Sequence, residues 1–143
     1  MATIKSYSDL QQSKKLADIL PLESADMYYQ YVLPKSDKIK HNPEIGNPIN
    51  ALEWYNKGYT LGGKEPIKLD EYCVPCWSLA SLLGVLPKRI ELEGVAYELS
   101  IYLNGLYYWN VNNGNLLLEV KGKDNLVDAC VAMVEKLHEL NLL

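Results

Sequence analysis

Phenylalanine is absent from this chain, histidine occurs twice and cysteine three times among 143 residues. Each shortage narrows the chemistry. Ser-His-acid catalysis needs a histidine held beside its nucleophile, and His41 and His138 are the whole supply. His41 falls in a Pro/Gly-rich stretch. His138 falls near a helix C-terminus, where an imidazole is favoured for its charge alone. No G-x-S-x-G, P-loop or G-x-G-x-x-G occurs, and Gly62-Gly63 by itself is no phosphate cradle. No cofactor is therefore implied. Three cysteines are an odd set, and Met1-Ala2-Thr3-Ile4-Lys5 opens without an apolar leader segment. That combination argues against a disulfide framework and predicts free thiols in a reducing cytoplasm. No apolar run approaches the ~20 residues of a membrane helix, so no membrane partner is expected. Like charges never gather in a block, and the net charge is −4. Such a balance withholds the basic footprint that phosphate contacts require, which counts against nucleic acid.

What the chain does hold is apolar bulk with polar tips. Hydrophobic residues make up 48%, enough for a core, and the length fits one domain. With 11 tyrosines and three tryptophans in place of phenylalanine, every aromatic ring carries a group that wants a hydrogen bond.

Periodicity predicts an α+β domain: an antiparallel meander packed by about three helices. The first helix covers 8–20, capped by Ser8, with Leu10, Ser13, Ala17 and Leu20 on one face and Pro21 as its stop. Residues 26–33 favour a strand. From about 34 to 66 the chain is dense in Pro, Gly, Asn and Lys, which predicts a long loop-rich excursion. One short helix is expected inside it, Asn50 to Lys57, closed by Gly58. A second main helix runs from Pro75 to Leu86. The meander spans 96–121, turning at Asn104-Gly105 and at Asn112-Asn113-Gly114. On its strands Tyr97, Leu99 and Ile101 share a face, as do Leu116, Leu118 and Val120. Asp124 caps a last helix, to about 140, that buries Val127, Cys130, Val131, Val134 and Leu137. Leu83 and Val131 are taken as core.

Cys73-Val74-Pro75-Cys76 carries the sharpest chemical possibility. A helix N-terminus favours thiolate, and C-x-P-C resembles the thioredoxin active-site pattern. The surroundings differ: Tyr72 stands where that pattern has tryptophan, and no proline follows Pro87. As half of a zinc site the pair lacks a second close pair, because Cys130 and His138 lie ~12 Å apart along one helix. No metal site is expected. Cys76 reads instead as a small buried hydrophobe, Cys130 as part of a buried stripe, and Cys73 as the most accessible thiol. The aromatic clusters give a candidate ligand or partner surface: Tyr28, Tyr29, Trp54, Tyr55, Tyr108 and Trp109.

Two segments, Pro75-Cys76-Trp77-Ser78-Leu79-Ala80 through Pro87 and Asp124-Asn125-Leu126-Val127-Asp128-Ala129-Cys130 through Leu143, carry a resemblance, with Gln12 to Leu16 and Leu20 to Met27 beside them. Together, about half the chain resembles small uncharacterised proteins of gut Bacteroidetes and their phages or mobile elements. The resemblance implies an α+β fold and a genomic setting, carries no catalytic residue, and makes Cys73 dispensable. The expectation is a small cytoplasmic interaction or ligand-binding accessory protein, not an enzyme. Its partner is a protein, a small molecule or a second copy of the chain. The alternative is a thiol–disulfide oxidoreductase using Cys73 and Cys76.

Overall fold

Asp9, not Ser8, opens the first helix. In the computed structural model, which describes residues 4–143, α1 spans Leu10–Ala17 and its cap is reciprocal. The Asp9 carboxylate accepts from Gln12 N at 2.8 Å, and the Gln12 side chain accepts from Asp9 N at 3.0 Å. Ser8 is fully buried instead. Its hydroxyl accepts from Trp77 N at 3.1 Å and lies 2.8 Å from Ser13 Oγ.

The α+β class holds, with more elements than periodicity revealed: five helices, a short 3₁₀ turn and two antiparallel sheets among the described residues. They form two compact units, Tyr7–Ser81 and Leu82–Leu143 together with residues 4–6.

In the first unit β1, Met27–Gln30, is the middle strand of three. The stretch expected as loop supplies β2, Glu44–Ile45, and α2, Pro48–Leu61. This helix is longer than foreseen because Asn47 caps it, ahead of the start expected at Asn50. Asn47 Oδ1 accepts from Ile49 N at 3.0 Å, and Pro48 sits in the first turn, where its missing N–H costs nothing. Gly58 does not close the helix; Gly62 does. A single turn, α3 (Leu69–Tyr72), leads into β3, Cys73–Cys76.

The start expected for the second main helix is thus overturned, because Pro75 lies in a strand, while residues 79–85 are helical as expected. Proline suits a first helical turn and an edge strand equally, and here the sheet decides. β3 is an edge paired to β1, with Tyr28 opposite Pro75 and Tyr29 opposite Val74. Tyr31 N donates to Tyr72 O at 3.0 Å, so alternation turns Pro75 outward, where a strand needs no donor. Helix α4, Leu79–Val85, begins after Ser78, whose hydroxyl accepts from Ser81 N at 3.2 Å. Ser78 N and Oγ both donate to Asp26. Partial burial alone would raise the Asp26 pKa, but the hydrogen bonds from Ser78 and Ser81 outweigh it and hold the carboxyl below its ordinary value. The sheet is covered on both faces. Leu10 of α1 packs over Tyr29, Val74 and Cys76, while Leu52 and Tyr55 of α2 pack over Cys73, Tyr72 and Ile67.

The second unit is a four-stranded meander in sequence order: β4 Arg89–Leu92, β5 Val95–Tyr102, β6 Gly105–Trp109 and β7 Leu116–Lys121. β4 joins through Glu93 and Gly94, both at positive φ (52° and 78°), the two-residue turn that suits strand twist. The next turn is Leu103-Asn104, one residue earlier than expected, because Gly105 pairs with Tyr102 inside the ladder. Helix α5, Leu126–Glu139, packs on β6 and β7. Asn125, not Asp124, caps it, accepting from Asp128 N at 2.8 Å. Its expected stripe is buried throughout, joined by Ala129 and Met133. Lys5 pairs with Asp128 at 2.7 Å. In α4 it is Leu82 that is fully buried, while Leu83 is half-buried. No helix among the described residues is long and apolar enough to cross a membrane.

Candidate functional site: an aromatic cleft on the meander

Strand alternation gives the meander two unlike faces. Leu99, Tyr108 and Leu118 lie opposite one another, as do Ile101, Leu106 and Val120; this is the apolar face, in which Leu106 and Tyr108 are fully buried. On the other face Ser100, Tyr107 and Glu119 form one row, and Glu98 and Trp109 another. Tyr102 follows on β5, opposite Gly105, which has no side chain to crowd it.

A bulge completes the set. Between Tyr108 and Trp109 the register of β7 slips, so that Leu118 faces Tyr108 but Leu116 faces Trp109. Alternation alone put Leu116 with Leu118 and Val120. The extra residue, Leu117, turns Leu116 onto the Trp109 face instead.

Tyr102, Asn104, Tyr107, Trp109, Gly114 and Leu116 then line a cleft of about 330 Å³. The rings of Tyr102 and Tyr107 meet edge to face, with centroids 5.6 Å apart and planes at 73°, so they form a corner. Trp109 Nε1–H donates to Ser100 Oγ at 2.5 Å, which fixes the indole. Tyr102 is 52% and Leu116 50% exposed. The Asn-rich turn beside the cleft is held from within. Asn110 Oδ1 accepts from Asn112 N (2.9 Å) and Asn113 N (3.2 Å), and its amide donates to Ala96 O (3.0 Å). No charged side chain lines the cleft.

Of the six residues expected as a binding surface, only Trp109 falls in this cleft. Tyr108 points the other way and is core: its hydroxyl donates to Pro87 O at 2.6 Å, and burial pushes its pKa up. Tyr29 is core in the first unit, donating to Ser8 O at 2.9 Å. Tyr28 and Tyr55 meet through Tyr72, at 6.1 and 5.0 Å between centroids, and Tyr59 stacks on Tyr55 at 5.5 Å. That cluster closes one face of the three-stranded sheet. Trp54 stands 77% exposed on α2. The residues missed, Tyr102, Tyr107 and Leu116, had a partial signal. Hairpin parity puts even-numbered β5 residues on one face with odd-numbered β6 residues, and so aligns Tyr102, Tyr107 and Trp109.

Cys76 and Cys130 are buried as expected, but Cys73 is not the accessible thiol that the sequence predicts. Cys73 is as buried as the rest, at 1% exposure against 0% for Cys76 and Cys130, because α2 covers it. All three are free. Residues 73 and 76 of a strand project to opposite faces, and the two sulfurs sit in different packing clusters. Burial pushes Cys73 and Cys130 up to about 12. Cys76 is raised by burial too, against hydrogen bonds from Ser8, Ser13 and Tyr29. Among the described residues no three His, Cys, Asp or Glu side chains are grouped to hold a metal. Family models, curated proteins and solved structures yield no match to this chain.

Proposed function

We propose that this protein works by binding a small ligand in the meander cleft rather than by covalent chemistry. The observation that carries the reading is the corner of Tyr102 and Tyr107 beside a pinned Trp109, half open to solvent on the face away from α5. Aromatic walls with a few polar groups are the usual composition of small-molecule sites, and the volume falls within their range of roughly 300–1,000 Å³. A hydrogen-bonded indole loses little freedom on binding, which favours affinity. The thiol–disulfide alternative draws no support from buried thiols on opposite faces of a strand, with raised pKa values. Three free cysteines support a reducing, cytoplasmic setting; an accessory role in a phage or mobile element rests on the family resemblance alone.

A fragment set of neutral, cationic and anionic compounds, titrated onto the isotope-labelled chain, tests the reading. Backbone amide shifts should appear first at Tyr102, Tyr107, Trp109 and Leu116. Shifts confined to the region of Trp54, or saturating shifts nowhere, would overturn it.

A further inference from the structure

We infer that the cleft takes a neutral sugar ring, stacked on the Tyr102–Tyr107–Trp109 surface with its hydroxyls reaching Asn104. This rests on the cleft being the binding site and adds the class of ligand.

The lining selects by what it offers. Six residues contribute three aromatic rings, one amide, one leucine and one glycine, without a charge. An anion would want Lys, Arg or converging N–H groups. An organic cation is attracted by ring faces alone, but a quaternary ammonium gives Asn104 and the tyrosine hydroxyls nothing to bond, and choline is therefore the control that separates it from a sugar. Nearby, Glu119 is occupied by Lys121 at 3.7 Å and Arg89 by Glu91 at 3.1 Å. Glu98, opposite Trp109 on the same face, is one carboxylate at the margin; it can accept from a hydroxyl, but it does not line the cleft.

A pyranose has the matching surface. One face presents C–H groups, weakly positive, which seat on the negative face of an aromatic ring. Its rim presents hydroxyls, which both donate and accept. An amide does the same, with its oxygen accepting and its NH₂ donating. Asn104 is exposed at the hairpin tip, next to Tyr102, and makes no side-chain hydrogen bond among the described residues. The tyrosine hydroxyls are further groups of both kinds. The edge-to-face corner provides one wall for the sugar face and a second for its edge, and Gly114 and Leu116 leave the far side low.

The test uses the full chain and named probes: maltose, cellobiose and diacetylchitobiose, with choline chloride and inorganic phosphate as charged controls. The Trp109 indole N–H and Tyr107 amide are followed by NMR as each probe is raised to tens of millimolar. At least one disaccharide should shift both signals saturably. Its Kd should rise about tenfold in Tyr102→Ala and about fivefold in Asn104→Ala, with unchanged unfolding midpoints. Either variant suffices if the other fails to fold. Choline or phosphate binding there as tightly as any sugar overturns the sugar assignment and leaves the cleft as the site. A sugar whose affinity ignores both substitutions also overturns it. Signals that no probe moves overturn the assignment and count against the cleft reading, which the fragment titration then decides independently.

Discussion

Replacing Gly105 by alanine would drive a methyl group into the Val120 carbonyl, because β6 and β7 approach too closely there for any side chain. Both sides of the clash are backbone, so no rotamer relieves it. Gly105→Ala should cost about 1–3 kcal/mol, as overpacking does, and should disturb the turn carrying Asn104; urea midpoints and amide shifts would show both. Asn104-Gly105 announces a hairpin in the sequence, yet this glycine serves strand spacing, a demand set by a strand remote along the chain. Cys73 teaches the same lesson in reverse. Its neighbours describe an exposed thiol, but Leu52 and Tyr55 of α2 help cover it. Cys73→Ser should therefore lower stability by about 1–3 kcal/mol, the cost of burying a hydroxyl without a matched partner. Denaturation indistinguishable from that of the parent chain would show that α2 does not seal the site.

At the scale of elements, the meander and α5 were legible because each has one wet face, so period and burial agree. The segment 73–76 was not: four residues with a proline satisfy both a strand edge and a helix start, and pairing with Met27–Gln30 settles it. Helix α2 hid behind its composition. Gly58 and the surrounding Asn, Lys and Pro residues look like punctuation, while its packing partners Tyr28, Ile67 and Tyr72 lie elsewhere in the chain. Its start depends on Asn47, which caps the helix and also donates from Nδ2 to Ala25 O at 2.9 Å. Asn47→Ala removes the cap and that tie together. It should cost about 1–2 kcal/mol, and hydrogen exchange should quicken in the first turn of α2 before the rest of its unit. The cleft was half legible for a similar reason. Parity aligns its rings, but the bulge that delivers Leu116 leaves no mark in the local sequence.

For the molecule as a whole, the buried thiols weaken the fold as the pH turns alkaline. Cys73 and Cys130 titrate near 12 when folded and near 9 when unfolded. Below the unfolded value both states hold the proton, and the stability is fully present. As pH rises from there towards 12 only the unfolded chain loses it, so stability falls, by up to about 1.4 kcal/mol per pH unit for each thiol. Urea midpoints at pH 7 and pH 10 should show the decline, and Cys130→Ala should flatten it while lowering stability at both. One further trait belongs to this scale: residues 4–6 and the C-terminal helix are parts of one unit, while the other is inserted between them in the chain. The insert is closed at its own ends, where Tyr7 bridges Ser78 and Ser8 N donates to Trp77 O at 2.9 Å. Pulled by its two termini, the chain would carry tension from residue 5 through the Lys5–Asp128 pair into α5. The inserted unit would stay slack until that clasp parted, and the Tyr7–Ser78 bridge would be the next to bear load.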